Sequence, residues 1–337
     1  MIKKIGKLIF KSLLRNNLSK IKKFVNNQEN NTIEDIFNYL QNEKTYYYTY
    51  AKRPRNIGKV KYKSQSYSSN KIGIILQGQI KKEDNFTFQS IELYHKLYPN
   101  CHIILSTWCN EDNEQMNKLK KLNYLTIVES EYPKIAGHGH INYQRLNSRN
   151  GILKAKELGC EYVLKSRTDQ RIYANNSILF LKSLIEQFPL KLDCKAKGRI
   201  AVCSLCTLKD RLYNICDMLL FGYTDDMLLY FSPDEAPKYD ESFVIPNEET
   251  NPVGYAQFRP GEIYFATKYI ENCGFNLEWT FEDSDYYRNN LFIVFNSESV
   301  DQFWPKYGSK EYLWRSYNSF PHEVVTFEDW FVNQSNL

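Results

Sequence analysis

The chain has 337 residues, 42% of them hydrophobic and 25% charged, a globular composition long enough to bury a sizeable core. Its formal net charge of +5 is unevenly placed: Lys3, Lys4, Lys7, Lys11, Arg15, Lys20, Lys22 and Lys23 open the chain without an acid among them, and the remainder is close to neutral. That distribution excludes a general nucleic-acid binder and describes one basic arm.

The arm, residues 1–25, reads as an amphipathic helix. Ile2, Ile5, Ile9, Phe10, Leu13 and Leu14 fall on one broad face and the cations on the other. Such a helix suits an anionic membrane surface, or docks on the protein's own core. No apolar run reaches the length of a spanning helix, and no signal peptide is recognisable, so a cytoplasmic protein peripheral to the inner membrane is expected. The eight cysteines are then expected as free thiols, because the lone Cys203-x-x-Cys206, even with Cys194, lacks a convincing fourth zinc ligand. Residues 26–70 read as a linker with one short helix, "IEDIFNYLQN".

The main domain, 71–337, begins with β-α-β grammar. "KIGIILQGQI" is a buried strand, "TFQSIELYHKLYPN" has helical period, and "CHIILSTW" is a second buried strand. A helical "EQMNKLKKL" leads to a third strand, "NYLTIVES". Strands buried on both faces imply an α/β fold, a mostly parallel Rossmann-like sheet flanked by helices.

"INYQRLNSRNGILKAKELG" projects as a helix whose apolar arc, with Ile141, Leu146, Ile152 and Leu153, also holds Asn142, Arg145 and Arg149. Charges rarely share an apolar face, so these side chains snorkel or serve a site between helix and sheet. "CEYVLKSRTDQRIY" opens as core, then places Lys165, Arg167, Asp169 and Arg171 at alternate positions, all on one face of a strand. Later, "LYNICDMLLFGYTDDMLLYFSP" reads as a strand containing Asp217, a glycine turn, and a helix opened by the capping acids Asp225 and Asp226. "RPGEIYFATKYIENCG" is a helix with Glu262 near its start, "LFIVFN" is a late strand, and the tail holds His322 and Glu323.

Ligands of open α/β sheets lie beyond the carboxyl ends of the strands. That rule collects Gln77 and Gly78 after the first strand, Thr107 and Trp108 at the second, and Lys165 to Arg171 at a later one. Gly78 admits a close backbone approach, and the cations match a diphosphate. Asp169 among them would orient an arginine, accept a ribose hydroxyl or hold a divalent metal such as manganese or magnesium. The fingerprints of P-loop kinases, dinucleotide dehydrogenases, α/β hydrolases and zinc proteases are absent from the sequence. A nucleotide-sugar enzyme is consistent with the remainder.

"IGIILQGQI", "YPNCHIILSTW", "NYQRLNSRNGILKA", "YVLKSRTDQRIY" and "CDMLLFGYTDDM" resemble, in this order, the WavE-type lipopolysaccharide synthesis family, bacterial proteins taken to be glycosyltransferases with a GT-A-like fold. The resemblance spans roughly residues 70–270 and carries over Gln77 and Gly78, Ser106 to Trp108, Asn142, Arg145, Ser148 and Gly151, Lys165, Arg167 and Asp169, and Asp217 and Gly222. R-T-D stands where GT-A enzymes have D-x-D, which leaves metal use open. The resemblance implies a nucleotide-sugar donor held by Gln77, Gly78, Trp108, Asn142, Arg145, Lys165, Arg167 and Asp169. The acceptor expected is a lipopolysaccharide, lipid-linked or capsular glycan, and the carboxylate needed to deprotonate its hydroxyl is either Asp217 or Glu262, between which the sequence does not choose. The competing readings are a non-catalytic glycan- or phosphate-binding protein and a sugar phosphotransferase.

Overall fold

The computed structural model describes residues 53–60, 71–111, 113–238, 244–306 and 322–334. The basic helix expected over 1–25, and with it the membrane-surface contact, lies outside them, as does the short helix expected in the linker. Residues Arg55–Leu337 form one compact unit.

Its frame is a seven-stranded sheet of β1 (Ile72–Gln77), β2 (His102–Trp108), β3 (Leu125–Ser130), β4 (Tyr162–Arg167), β6 (Ile200–Cys203), β7 (Leu220–Tyr223) and β8 (Phe292–Phe295). A separate short ribbon pairs β5 (Arg171–Ile172) with β9 (Gln302–Phe303). The sheet order is β3-β2-β1-β4-β7-β6-β8, and only β7 runs against the other strands. This is the mostly parallel α/β arrangement that the doubly buried apolar runs imply. The helices, in chain order, are α1 (Phe86–Leu97), α2 (Asn113–Leu119), α3 (Ile141–Glu157), α4 (Ser177–Gln187), α5 (Thr224–Phe231), α6 (Pro252–Phe258), α7 (Glu262–Asn272), α8 (Phe281–Leu291) and α9 (Phe327–Gln334).

The stripe that α3 buries differs from its apolar arc. Ile141, Asn142, Asn147, Ser148, Gly151, Ile152 and Ala155 are buried, while Leu146 and Leu153 are only half-buried. Gly151 explains the choice: a Cβ there would stand 2.7 Å from Ile75 Cγ2 and 3.1 Å from Ser106 Cβ, so only glycine lets the helix come this close to the sheet. Close approach favours small side chains over leucine, and it brings the Asn147 carbonyl of α3 to β2, where it accepts from the Ser106 hydroxyl at 2.7 Å.

β4 ends at Arg167, sooner than the alternation of charges suggests. Its partner β1 stops at Gln77, after which Gly78 turns away with φ +115° and donates its N–H to the Ser106 carbonyl at 3.0 Å. With no strand left to pair, the chain turns and the alternation is lost: the N–H of Gln170 donates to the Arg167 carbonyl at 3.1 Å. Arg171 consequently leaves the shared face and is buried against α1.

Two further expectations shift. Asp217 precedes β7 instead of lying within it, and Gly222 is inside the strand, the turn to α5 falling at Tyr223. Asp225 and Asp226 do open α5, where the helix dipole favours acids. Their bonds go elsewhere: Asp226 accepts from the N–H groups of Lys197 and Gly198 at 2.7 and 2.8 Å, and Asp225 pairs with Lys156 at 2.7 Å.

Candidate functional site

The chain lays β1, β2 and β3 side by side in one direction, then returns to place β4 on the other flank of β1. The crevice at the carboxyl ends of β1 and β4 is therefore the switch point where ligands of such sheets bind. Register fills it from the sequence. Ser106, Gln77 and Arg167 form one row across β2, β1 and β4, and Ile104, Ile75 and Lys165 form the row beneath. Both rows face α3, since Ile75 and Ser106 are the neighbours of Gly151.

Lys165 is fully buried. Its ammonium donates to the Asp217 carbonyl at 2.5 Å and lies 5.1 Å from the centre of the Phe231 ring. Burial pulls its pKa down to about 8, against the opposing pull of the Asp217 charge. It is a positive charge behind the site.

Arg167 stands at the rim, its side chain 30% exposed. Its Nε and Nη2 donate to the two oxygens of Asp169 at 2.8 and 3.1 Å, and the indole N–H of Trp304 donates to Asp169 Oδ2 at 3.0 Å. The guanidinium lies 5.2 Å from the centre of the Trp304 ring. Burial would raise the Asp169 carboxyl, but the hydrogen bonds and charge of Arg167 outweigh it and hold the group below its usual range. Trp304 is 135 residues from Asp169 in the chain, and nothing local in the sequence points to it.

Helix α3 supplies the opposite wall. Gln144 donates to the Asp217 carbonyl at 3.2 Å. Asn142 is engaged by backbone alone: its amide donates to the carbonyls of Ile135 and Ala236 at 3.1 and 2.8 Å and accepts from the Ala236 N–H at 2.8 Å. Arg145 turns to the segment after α5, donating to the Pro233 carbonyl at 3.2 Å and pairing with Glu235 at 3.4 Å. The amide of Asn147, the hydroxyl of Ser148 and Gln77 Oε1 are buried without a hydrogen-bond partner among the described residues. Buried polar groups are ordinarily satisfied; of these three, Gln77 ends β1 and the other two belong to α3.

Asp217 and Glu262 complete the site. Asp217 is 4% exposed, and burial raises its carboxyl above the usual range against the charges of Lys165 and Arg167 and the amide of Gln144. Glu262, the first residue of α7, keeps partial exposure. Burial of its carboxyl, and next the charge of Asp217, push it up to about 7. Two carboxyls that cannot both ionise easily share their titration, and Glu262 is the more exposed of them. His322 lies 2.8 Å from Asp210 and 3.0 Å from Arg211, whose charge acts on Glu262.

Trp108, 4% exposed at the end of β2, is covered by Tyr132 at 4.1 Å and 17°. Tyr143 of α3 meets both rings edge-on, at 5.5 and 5.2 Å. The carboxyl-edge rule, carried on to the end of β3, leads from sequence to Tyr132 as well.

A divalent cation fits this arrangement poorly. Both oxygens of Asp169 are engaged by Arg167 and Trp304, and no three of His, Cys, Asp and Glu among the described residues converge as metal ligands. Cys203 instead donates its thiol to Gln302 at 3.2 Å, and all eight cysteines are free thiols. The assembled groups offer cations for an anion, a carboxylate for a proton, and aromatic faces for a ring.

No helix among the described residues is long and apolar enough to cross a membrane. A search of curated proteins gives no match. The family model described as WavE lipopolysaccharide synthesis matches residues 72–258. That span covers more than half of the chain and carries Gln77, Trp108, α3, the Arg167 fork and Asp217 together, and the chain belongs to the WavE lipopolysaccharide synthesis family.

Proposed function

We propose that the chain is a glycosyltransferase of GT-A-like fold that moves a sugar from a nucleotide-sugar donor to a lipopolysaccharide or capsular glycan acceptor. One observation carries the reading: the Arg167 fork stands at the carboxyl end of β4 in the same site as a carboxyl, Glu262, held near neutrality. Displacement at a sugar's anomeric carbon needs both. The acceptor hydroxyl gives its proton to Glu262 as its oxygen bonds to carbon, and the bond to the diphosphate breaks with its electron pair on the phosphate oxygen. Arg167 meets the charge that appears there, with buried Lys165 adding its field behind. Asp169 keeps the guanidinium aimed, and Asp217 keeps Glu262 a stronger base. The basic arm of residues 1–25 would hold the protein at the cytoplasmic membrane surface, next to a lipid-linked acceptor.

The test is a thermal-shift panel of UDP-, GDP-, CMP- and dTDP-sugars, with and without manganese. A ligand selective for the folded state stabilises it by about 2.7 kcal/mol at one hundred times its dissociation constant. One nucleotide should raise the melting temperature of the wild type and lose that effect in Arg167→Met. A flat response to every donor would refute a nucleotide-sugar enzyme.

A further inference from the structure

We infer that the open face of Tyr132, backed by Trp108, is the seat of the nucleobase of a nucleotide ligand. The inference rests on the donor reading above and extends it to a surface beyond the diphosphate site.

Tyr132 is 44% exposed although it is stacked on Trp108 at 4.1 Å and braced edge-on by Tyr143 at 5.2 Å. One face of its ring is therefore covered by indole and the other is turned outward. His140, the residue before α3, braces Tyr143 in turn at 5.3 Å. A tyrosine that merely covers the core has no need of two aromatic rings holding its plane, one of them braced by a third. A fixed planar face suits another planar ring, because stacking depends on alignment and costs least when one partner is already immobile.

Position selects the kind of ring. Ser106, Gln77 and Arg167 are one register row, so β2 and β4 are two strand spacings apart, and Trp108 lies two residues further along β2 than Ser106. At ~4.8 Å per strand and ~3.3 Å per residue, Trp108 and Arg167 are about 12 Å apart. A base on Tyr132 lies beyond Trp108 on the β3 side, so the ribose and phosphates of a nucleotide seated there would run back along the strand ends toward Arg167. Polar recognition is also at hand. Glu111 is buried beside the platform, accepting from the Thr107 hydroxyl at 2.8 Å and the Ile80 N–H at 3.1 Å, and its charge acts on the Tyr132 hydroxyl.

Calorimetric titration of the full chain with UMP, GMP, CMP and dTMP, their diphosphates, and inorganic pyrophosphate tests this. Tyr132→Leu removes the ring at an exposed position, and Tyr132→Phe keeps it. The leucine variant should weaken the preferred nucleotide at least about fivefold, the low end of base stacking. The phenylalanine variant should match the wild type, and pyrophosphate should bind all three alike. If the wild type binds a nucleotide and the leucine variant binds it equally well, the platform is refuted while the donor reading stands. An equal nucleotide affinity with a raised KM for the glycan acceptor refutes it too, and gives the platform to the acceptor. If the wild type binds no nucleotide, the donor reading fails and takes this inference with it.

Discussion

Arg167 and Arg171 are four residues apart, and the alternation of charges treats them as equals. The fold does not. Arg171 is 1% exposed and its donors are spent on protein: Ser90 Oγ at 2.9 Å, the Phe86 carbonyl at 2.9 Å, and the Arg55 carbonyl and Tyr173 hydroxyl at 3.1 Å. The Phe86 ring lies 4.2 Å beneath its guanidinium. Arg167 is held at the rim by Asp169 and Trp304, with nearly a third of its side chain exposed. One cation stitches the chain after β4 to α1, and the other is aimed at the crevice. Burial, more than place in a charge pattern, separates the two arginines.

The largest expected effect falls on the chemistry beside Arg167. Glu262→Gln should lower sugar transfer by about 10²- to 10⁴-fold with nucleotide affinity unchanged, measured as product formed against calorimetric binding. A loss under about tenfold would move the base elsewhere, with Asp217 the first candidate.

Next in size is the contrast itself. Arg171→Met leaves the Phe86 and Arg55 carbonyls without their donor and should cost about 3 kcal/mol in urea denaturation. Arg167→Met breaks a partly exposed pair, should cost about 1 kcal/mol or less, and should weaken diphosphate binding at least about tenfold. If Arg167→Met proves the more destabilising of the two, the division of labour is wrong.

The pH profile sharpens the same region. Because Glu262 is held up to about 7, its base form grows as pH rises, so kcat/KM should climb below that pH and level off above it. Asp217→Asn removes a negative neighbour and should move this limb to lower pH. The sign for stability is opposite. The fold favours the neutral Glu262 carboxyl, so its contribution is complete below its ordinary 4.5 and is lost as pH rises through about 7. A limb that stays in place in Asp217→Asn would uncouple the two carboxyls.

The smallest change concerns aim. Trp304→Phe keeps the ring under Arg167 but deletes the N–H bonded to Asp169, and should weaken diphosphate binding about threefold, in line with one hydrogen bond. No measurable change would mean that Asp169 is oriented by Arg167 alone.

Much of the frame is legible in the sequence. The apolar runs at Ile72 and His102 form buried parallel strands, because a strand buried on both faces has to be apolar, and those at Leu125 and Tyr162 extend the same parallel set, Leu125–Ser130 as a half-buried edge strand. The carboxyl-edge rule reaches Gln77, Trp108 and Arg167 for a similar reason: it needs only strand ends. Legibility fails where partners are remote. The apolar arc of α3 misjudges its buried stripe, because Gly151 brings the helix too close for leucine. The alternation from Lys165 to Arg171 misjudges its last member, because the strand loses its partner at Gln77.

Local sequence determined which segments became strands and helices, and which strand ends carried cations, carboxylates and rings, since period and burial are properties of neighbouring residues. Only the tertiary structure decided that Trp304 would hold Asp169, that α7 would bring Glu262 into the field of Asp217, and that Arg171 would be spent on α1. Those outcomes depend on which groups meet across long stretches of chain, 135 residues in the case of Trp304 and Asp169. Hydrogen bonds and charge interactions act over a few ångströms of space, and spacing in the sequence does not record that distance.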